Sequence, residues 1–302
     1  MSLVGRLTRA VGERGASQVS KDIFWRVTSP LRERGASQVL KDILSSIPAY
    51  PVLVATLAER LSELRLPELL IRTTPIGMNH LSPARVAPMR EIISRFANDR
   101  PINLLEIGTW FGAGSTALFL EILPRGSSIT LVDSWRKYHP PEAQTTLAAR
   151  LMDLVPHAAI SSTLRQIYKF EEMRPDIEVI VVRGVASRVL TAYKPNIFDC
   201  IYVDGSHYYD AVKADLQIAK YLLKDDGVLC GDDYLLPHTP ELIALAKSHL
   251  TTNFLSLPDG RGFYPGVLLA ISEELPKVNM QDGFWWTHLR SSVNVELARA
   301  KQ

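Results

Sequence analysis

The stretch that decides the fold is Leu104-Leu105-Glu106-Ile107-Gly108-Thr109-Trp110-Phe111-Gly112-Ala113-Gly114-Ser115-Thr116. It predicts a buried strand, a glycine-rich turn and the start of a helix. Such a turn aims backbone N–H groups and the positive end of a helix at a bound ligand. Gly108, Gly112 and Gly114 let the backbone come close to that ligand without Cβ interference. Glu106 adds a negative charge at the strand end, which suits a ligand with an ammonium group beside a carboxylate and suits a pyrophosphate poorly.

Working outward, apolar runs at Asn103–Ile107, Ser128–Val132, Glu178–Val182, Cys200–Val203 and Val228–Gly231 alternate with helical patterns. The helices are Ser115–Leu123, one or more within Ala143–Phe170, Ala186–Ala192 and Tyr209–Leu223. This alternation predicts an α/β fold, a doubly wound and mostly parallel sheet covered on both faces. Asn253–Leu257 and Gly266–Ile271, joined through Asp259-Gly260-Arg261-Gly262, read as a terminal antiparallel hairpin. The tail from Gln281 reads as helix at best, with Trp285 and Trp286 as packing anchors.

In such a sheet, ligands sit outside the carboxyl ends of the strands. Asp133 closes the second strand, where a carboxylate can accept hydrogen bonds from ribose hydroxyls. Gly184, Val185 and Ala186 close the third, where an adenine ring could lie. Glu106 and Asp133 also have blander uses, as a cap for the following turn and as a helix N-cap. Further on, Asp204-Gly205-Ser206-His207 and Asp232-Asp233-Tyr234 end two strands that adjacent pairing would bring side by side. Three carboxylates in one cleft repel each other unless a cation joins them. An oxygen-rich set favours Mg²⁺ over zinc. His207 is placed to accept a proton from a hydroxyl.

Glu-x-Gly-x-x-x-Gly with an acidic residue 27 positions after the glutamate resembles the class I S-adenosylmethionine-dependent methyltransferases, over about residues 100–271. The second half resembles methyltransferase family 24 more narrowly. The matching residues are Asp204-Gly205-Ser206-His207-Tyr208-Tyr209, Asp215, Leu222-Leu223, Gly227 and Asp232-Asp233-Tyr234. The resemblance implies a Rossmann-like methyltransferase fold, with Glu106 on the methionine amine, Asp133 on the ribose, and Trp135 flanking the adenine or the substrate. Gly108, Gly112, Ser115, Gly184, Ala186 and Asp204 complete the expected cofactor site. Asp204, Asp232 and Asp233 are expected to hold Mg²⁺, and His207 and Asp204 to serve catalysis. Catechol-type O-methyltransferases show a similar separation of Asp204 and Asp232. Their lysine base falls on His207 and their asparagine ligand on Asp233.

The implied function is Mg²⁺-assisted O-methylation of a small-molecule hydroxyl. The rivals are an NAD(P)-dependent oxidoreductase on the same sheet and a catalytically inactive binding protein. With 34 basic and 32 acidic residues and a formal charge of +2, no nucleic-acid backbone is expected as partner. Two cysteines, each in an apolar run, argue against a disulfide framework and for a cytoplasmic setting. No apolar run reaches the roughly 20 residues needed to span a bilayer.

Residues 1–97 read as a helical extension, 98–275 as the methyltransferase domain and 276–302 as a tail. The extension repeats itself: Glu13–Val19 with Lys21-Asp22-Ile23 recurs as Glu33–Val39 with Lys41-Asp42-Ile43, a period of 20 residues. Each copy suits a short amphipathic helix, an acceptor cap or an arm for pairing with a second copy. A helix is expected from Ala49 to about Arg72, a loop over Thr73–Leu81, and a further helix opened by Ser82-Pro83.

Overall fold

The computed structural model describes residues 81–137, His139, Asp153 and 156–289. The 20-residue repeat, the helix expected before Arg72 and nearly all of the loop after it lie outside these residues. The chain divides into one unit of residues 1–78 and 144–158 and a second of 79–143 and 159–302. The second unit holds the sheet.

Helix α1 spans Pro83–Ala97, with Ser82 extended at the N-cap and Pro83 in the first turn. Proline fits there because its missing N–H would have no partner in any case. Asn98, at φ 47°, ends the helix in the left-handed conformation. Alternation follows: β1 Asn103–Ile107, α2 Ser115–Ile122, β2 Ser128–Asp133, α3 Pro156–Met173, β3 Glu178–Arg183, α4 Ala186–Val189, β4 Phe198–Val203, α5 Tyr209–Leu222 and β5 Leu223–Gly231. Then come α6 Pro240–Lys247, β6 Leu255–Ser256, β7 Gly262–Phe263, α7 Pro265–Glu274, β8 Asn279–Gln281 and β9 Phe284–Thr287.

Seven strands form one sheet in the order β3-β2-β1-β4-β5-β9-β8. The first five are parallel, and β9 and β8 run antiparallel at the end. Strand order reverses between β1 and β4, so this pair forms the switch point. Side chains alternate across it. Leu104 of β1, with Cys200 and Tyr202 of β4, faces Met89 of α1 and Phe119 of α2. Leu105 and Ile107, with Ile201 and Val203, face Leu216 of α5 and Leu268 of α7. Each fully buried leucine contributes about 1.5–3 kcal/mol relative to exposure. Both faces are covered, which is why the strands read as continuous apolar runs.

The end of the sheet corrects the sequence reading. Residues 266–271 are helix, inside α7, and the antiparallel pair that finishes the sheet is β8–β9. A short, wholly buried apolar run carries no periodicity that separates strand from helix. Here Pro265 in the first helical turn decides the outcome. Leu255–Ser256 does pair across the Asp259–Arg261 turn, but with Gly262–Phe263 in a separate two-stranded sheet. Over residues 281–289 the tail is not helical either. Asp282 and Gly283 both adopt positive φ, 53° and 93°, the conformation of a two-residue hairpin turn. Trp285 is fully buried in β9 and its partner Trp286 packs at the edge of the core. Residues 279–287, placed in the tail by sequence, are therefore part of the sheet.

Candidate active site

The turn after β1 is fastened from three sides. Gly108, at φ 91°, passes so close to β4 that a Cβ there would stand 2.0 Å from the Asp204 carbonyl oxygen. At Gly112 a Cβ would meet Thr163 of α3 at 3.2 Å. These two glycines are thus required by the protein's own packing, whatever binds in front of them. Glu106 is wholly buried and accepts hydrogen bonds from Ser115 Oγ at 2.5 Å and Thr116 Oγ1 at 2.7 Å. Burial pushes its carboxyl up to about 7, against the pull of the two hydroxyls. One acceptor position on each oxygen remains.

Asp133 holds the turn from the β2 side. Its Oδ2 accepts from the backbone N–H groups of Thr109 at 3.0 Å and Trp110 at 2.9 Å, and its Oδ1 from Trp135 at 2.7 Å. Two of the N–H groups that a glycine-rich turn would aim at a ligand are thereby used inside the protein. Burial raises the Asp133 carboxyl, offset by these bonds. Trp110 and Trp135 both take positive φ, 52° and 41°, an uncommon conformation for bulky residues that concentrates at functional sites. The buried Trp135 donates its indole N–H to the Trp110 carbonyl at 3.0 Å. The hydroxyl of Thr109 is buried and has no partner among the described residues, a polar atom left over for a ligand. Gly184 lies where a Cβ would strike Val189 at 2.2 Å, and Ala186 opens the short α4.

Across the switch point, the ends of β4 and β5 gather the second group. Asp204, His207 and Asp233 each offer a ligand atom within 4.8 Å of the others. Asp233, at φ 66°, sets its Oδ2 2.7 Å from His207 Nε2, while His207 Nδ1 lies 3.1 Å from Asn253 Oδ1. Tyr264 packs on the imidazole at 4.1 Å between ring centres. Asp232 is placed differently. Its Oδ1 accepts the Asp233 N–H at 2.8 Å and its Oδ2 lies 2.5 Å from Arg85 Nη1. Burial and mutual repulsion push Asp204 well up and Asp232 up to about 6. A small cleft, open to solvent, is lined by Val203, Asp204, Ser206, His207, Asp232 and Asp233 among others.

The structure thus gathers Glu106, Ser115, Asp133 and Trp135 around the β1 turn, and Asp204, His207, Asp232 and Asp233 at the ends of β4 and β5. It adds Arg85, Thr109 and Asn253, none of which sequence reasoning singled out, and it packs Tyr264 on His207. Asn253 and Tyr264 flank turns in the chain, and nothing in their spacing points to His207. Arg85 lies 147 positions before Asp232, beyond the reach of any local pattern.

Residues 105–234 match the family model described as a methyltransferase domain, methyltransferase family 24. No curated protein matches the chain. Among solved structures, the O-methyltransferase NovP is 15% identical, with 78% of this chain and 98% of that one covered at a TM-score of 0.46. The O-methyltransferase TomG from Streptomyces achromogenes, in complex with SAM, is 16% identical over 81% of this chain and 92% of its own, at 0.42. An SAH-bound methyltransferase from Podospora anserina is 16% identical over 86% and 97%, at 0.41. Residues 105–234 thus match the methyltransferase domain of family 24, on a sheet with the Rossmann-like fold of class I S-adenosylmethionine-dependent methyltransferases.

Proposed function

We propose that the protein transfers a methyl group from S-adenosylmethionine to a hydroxyl of a small molecule, with Mg²⁺ assisting. One observation supports this most: the Glu106 turn and the Asp204–His207–Asp233 cluster meet at the β1–β4 switch point, where Gly108 abuts the Asp204 backbone. When bound, S-adenosylmethionine offers an electrophilic methyl on a sulfonium centre. Glu106 would face the methionine ammonium, and the leftover Thr109 hydroxyl would bond the same ligand. Asp133 would serve the ribose from Oδ1 while it holds the turn. The Gly184–Ala186 bend would line the adenine, with Trp135 bracing Trp110 from below.

As the acceptor oxygen forms its bond to the methyl carbon, the hydroxyl proton needs a receiver. Asp204 and the His207–Asp233 pair are the groups in place for it. Asn253 and Asp233 fix the imidazole between them. Asp204, Asp232 and Asp233 would hold Mg²⁺, their hard oxygen donors suiting such an ion, and His207 lies alongside. The ion would lower the pKa of a coordinated hydroxyl.

Thermal melts test the reading. S-adenosylhomocysteine at about 100 times its dissociation constant should add about 2.7 kcal/mol, a rise of a few degrees, and NADH should add nothing. A rise with NADH and none with S-adenosylhomocysteine would overturn it in favour of an oxidoreductase.

A further inference from the structure

Arg85 reaches the acidic cluster from outside the matched residues 105–234. It sits in the first turn of α1. Its Nη1 lies 2.5 Å from Asp232 Oδ2 and 3.5 Å from Asp233 Oδ1, and its Nε donates to the Asp282 carbonyl at 2.9 Å. Only 17% of the side chain is exposed. The β8–β9 turn closes on it: a Cβ at Gly283 would stand 2.9 Å from Leu235 Cδ2, 3.0 Å from Arg85 Nη2 and 3.2 Å from its Cζ. Its charge also acts on Asp204, the third carboxylate of the cluster.

These are the carboxylates a divalent ion would use. A guanidinium does not lose its proton in proteins, so it cannot step aside by becoming neutral. Two cations within about 4 Å repel by about 4 kcal/mol per pair of unit charges near a protein surface, and Arg85 already takes acceptor positions on Asp232. We propose that Arg85 is the built-in counter-ion of Asp232 and Asp233, and that Arg85 and a divalent metal exclude each other at this site. Arg85 would then set the metal concentration at which the cluster loads. The inference rests on the metal-assisted part of the function above and is independent of cofactor binding.

The test is calorimetric titration of Mn²⁺ into the full chain, comparing wild type with Arg85→Gln, Arg85→Lys and the double variant Arg85→Gln/Asp232→Asn. Arg85→Gln should bind Mn²⁺ at least tenfold more tightly than wild type. Arg85→Lys, which keeps the charge, should stay near wild type, and the double variant should lose the gain. Gly283→Ala, which crowds Arg85 from the hairpin, should shift affinity in the same direction and serves if Arg85→Gln folds poorly. Equal Mn²⁺ affinity in wild type and Arg85→Gln, or no Mn²⁺ binding by either, overturns the proposal. S-adenosylhomocysteine is titrated in parallel: its failure to bind wild type would sink the methyltransferase reading while leaving the Mn²⁺ comparison intact.

Discussion

Gly108 shows how a single residue can be read correctly for an incomplete reason. Sequence marks it as a turn glycine that lets a ligand approach, yet the nearest obstacle to a side chain there is the Asp204 backbone. Gly108→Ala should therefore cost about 3 kcal/mol or more in urea unfolding, with or without cofactor. Glu106 was legible as an acid at a strand end. Its two hydroxyl partners, 9 and 10 residues on, follow from the helix start that the same motif announces. Asp215 is a different case. It is buried on α5 and raised to about 7 by burial alone. Because its folded value exceeds its unfolded value of 3.8, its stabilising contribution is present at low pH and is lost as pH rises toward 7. Asp215→Asn should thus raise stability at pH 8 by about 2 kcal/mol and change little at pH 4, as melts at the two pH values would show.

At the scale of elements, the five parallel strands and their helices were legible because buried strands leave apolar runs and helices leave a 3.6-residue period. The end of the chain was not. Val267 to Ile271 is apolar at every position, so only Pro265 distinguishes helix from strand. Asp282-Gly283 is a standard hairpin signal, yet the strands it joins are only three and four residues long. Helix α7 matters for the site because a Cβ at Gly266 would lie 2.3 Å from the His207 carbonyl oxygen. Gly266→Val should move the 206–209 loop off α7, lowering any methyl transfer more than it lowers S-adenosylhomocysteine affinity; kinetics and calorimetry on one preparation would separate the two. Gly283→Ala, at φ 93°, should cost about 1–3 kcal/mol in equilibrium unfolding.

For the whole molecule, sequence points to the strand ends as the place for chemistry because a doubly wound sheet seats ligands at its switch point. It could not place Arg85, Thr109 or Asn253, whose roles depend on contacts between distant segments. The gathered acids also shape the pH response of the fold. Glu106 and Asp215, both raised to about 7, each release a proton on unfolding at pH values between about 4 and 7, so their joint contribution to stability falls across that window. Melts at pH 5 and 7.5 should show a smaller difference for Glu106→Gln/Asp215→Asn than for wild type. Ligand binding has the opposite dependence, because an ammonium opposite Glu106 favours the carboxylate.

The most direct test of the central claim is calorimetry of S-adenosylhomocysteine with wild type and Glu106→Gln at pH 6 and pH 8. Wild type should bind, and more tightly at pH 8. The Gln variant, lacking a charge-assisted hydrogen bond of about 1.5 kcal/mol, should bind about tenfold more weakly at pH 8 and lose the pH dependence. Absence of binding to wild type, or equal affinity of the two proteins at pH 8, would contradict the account.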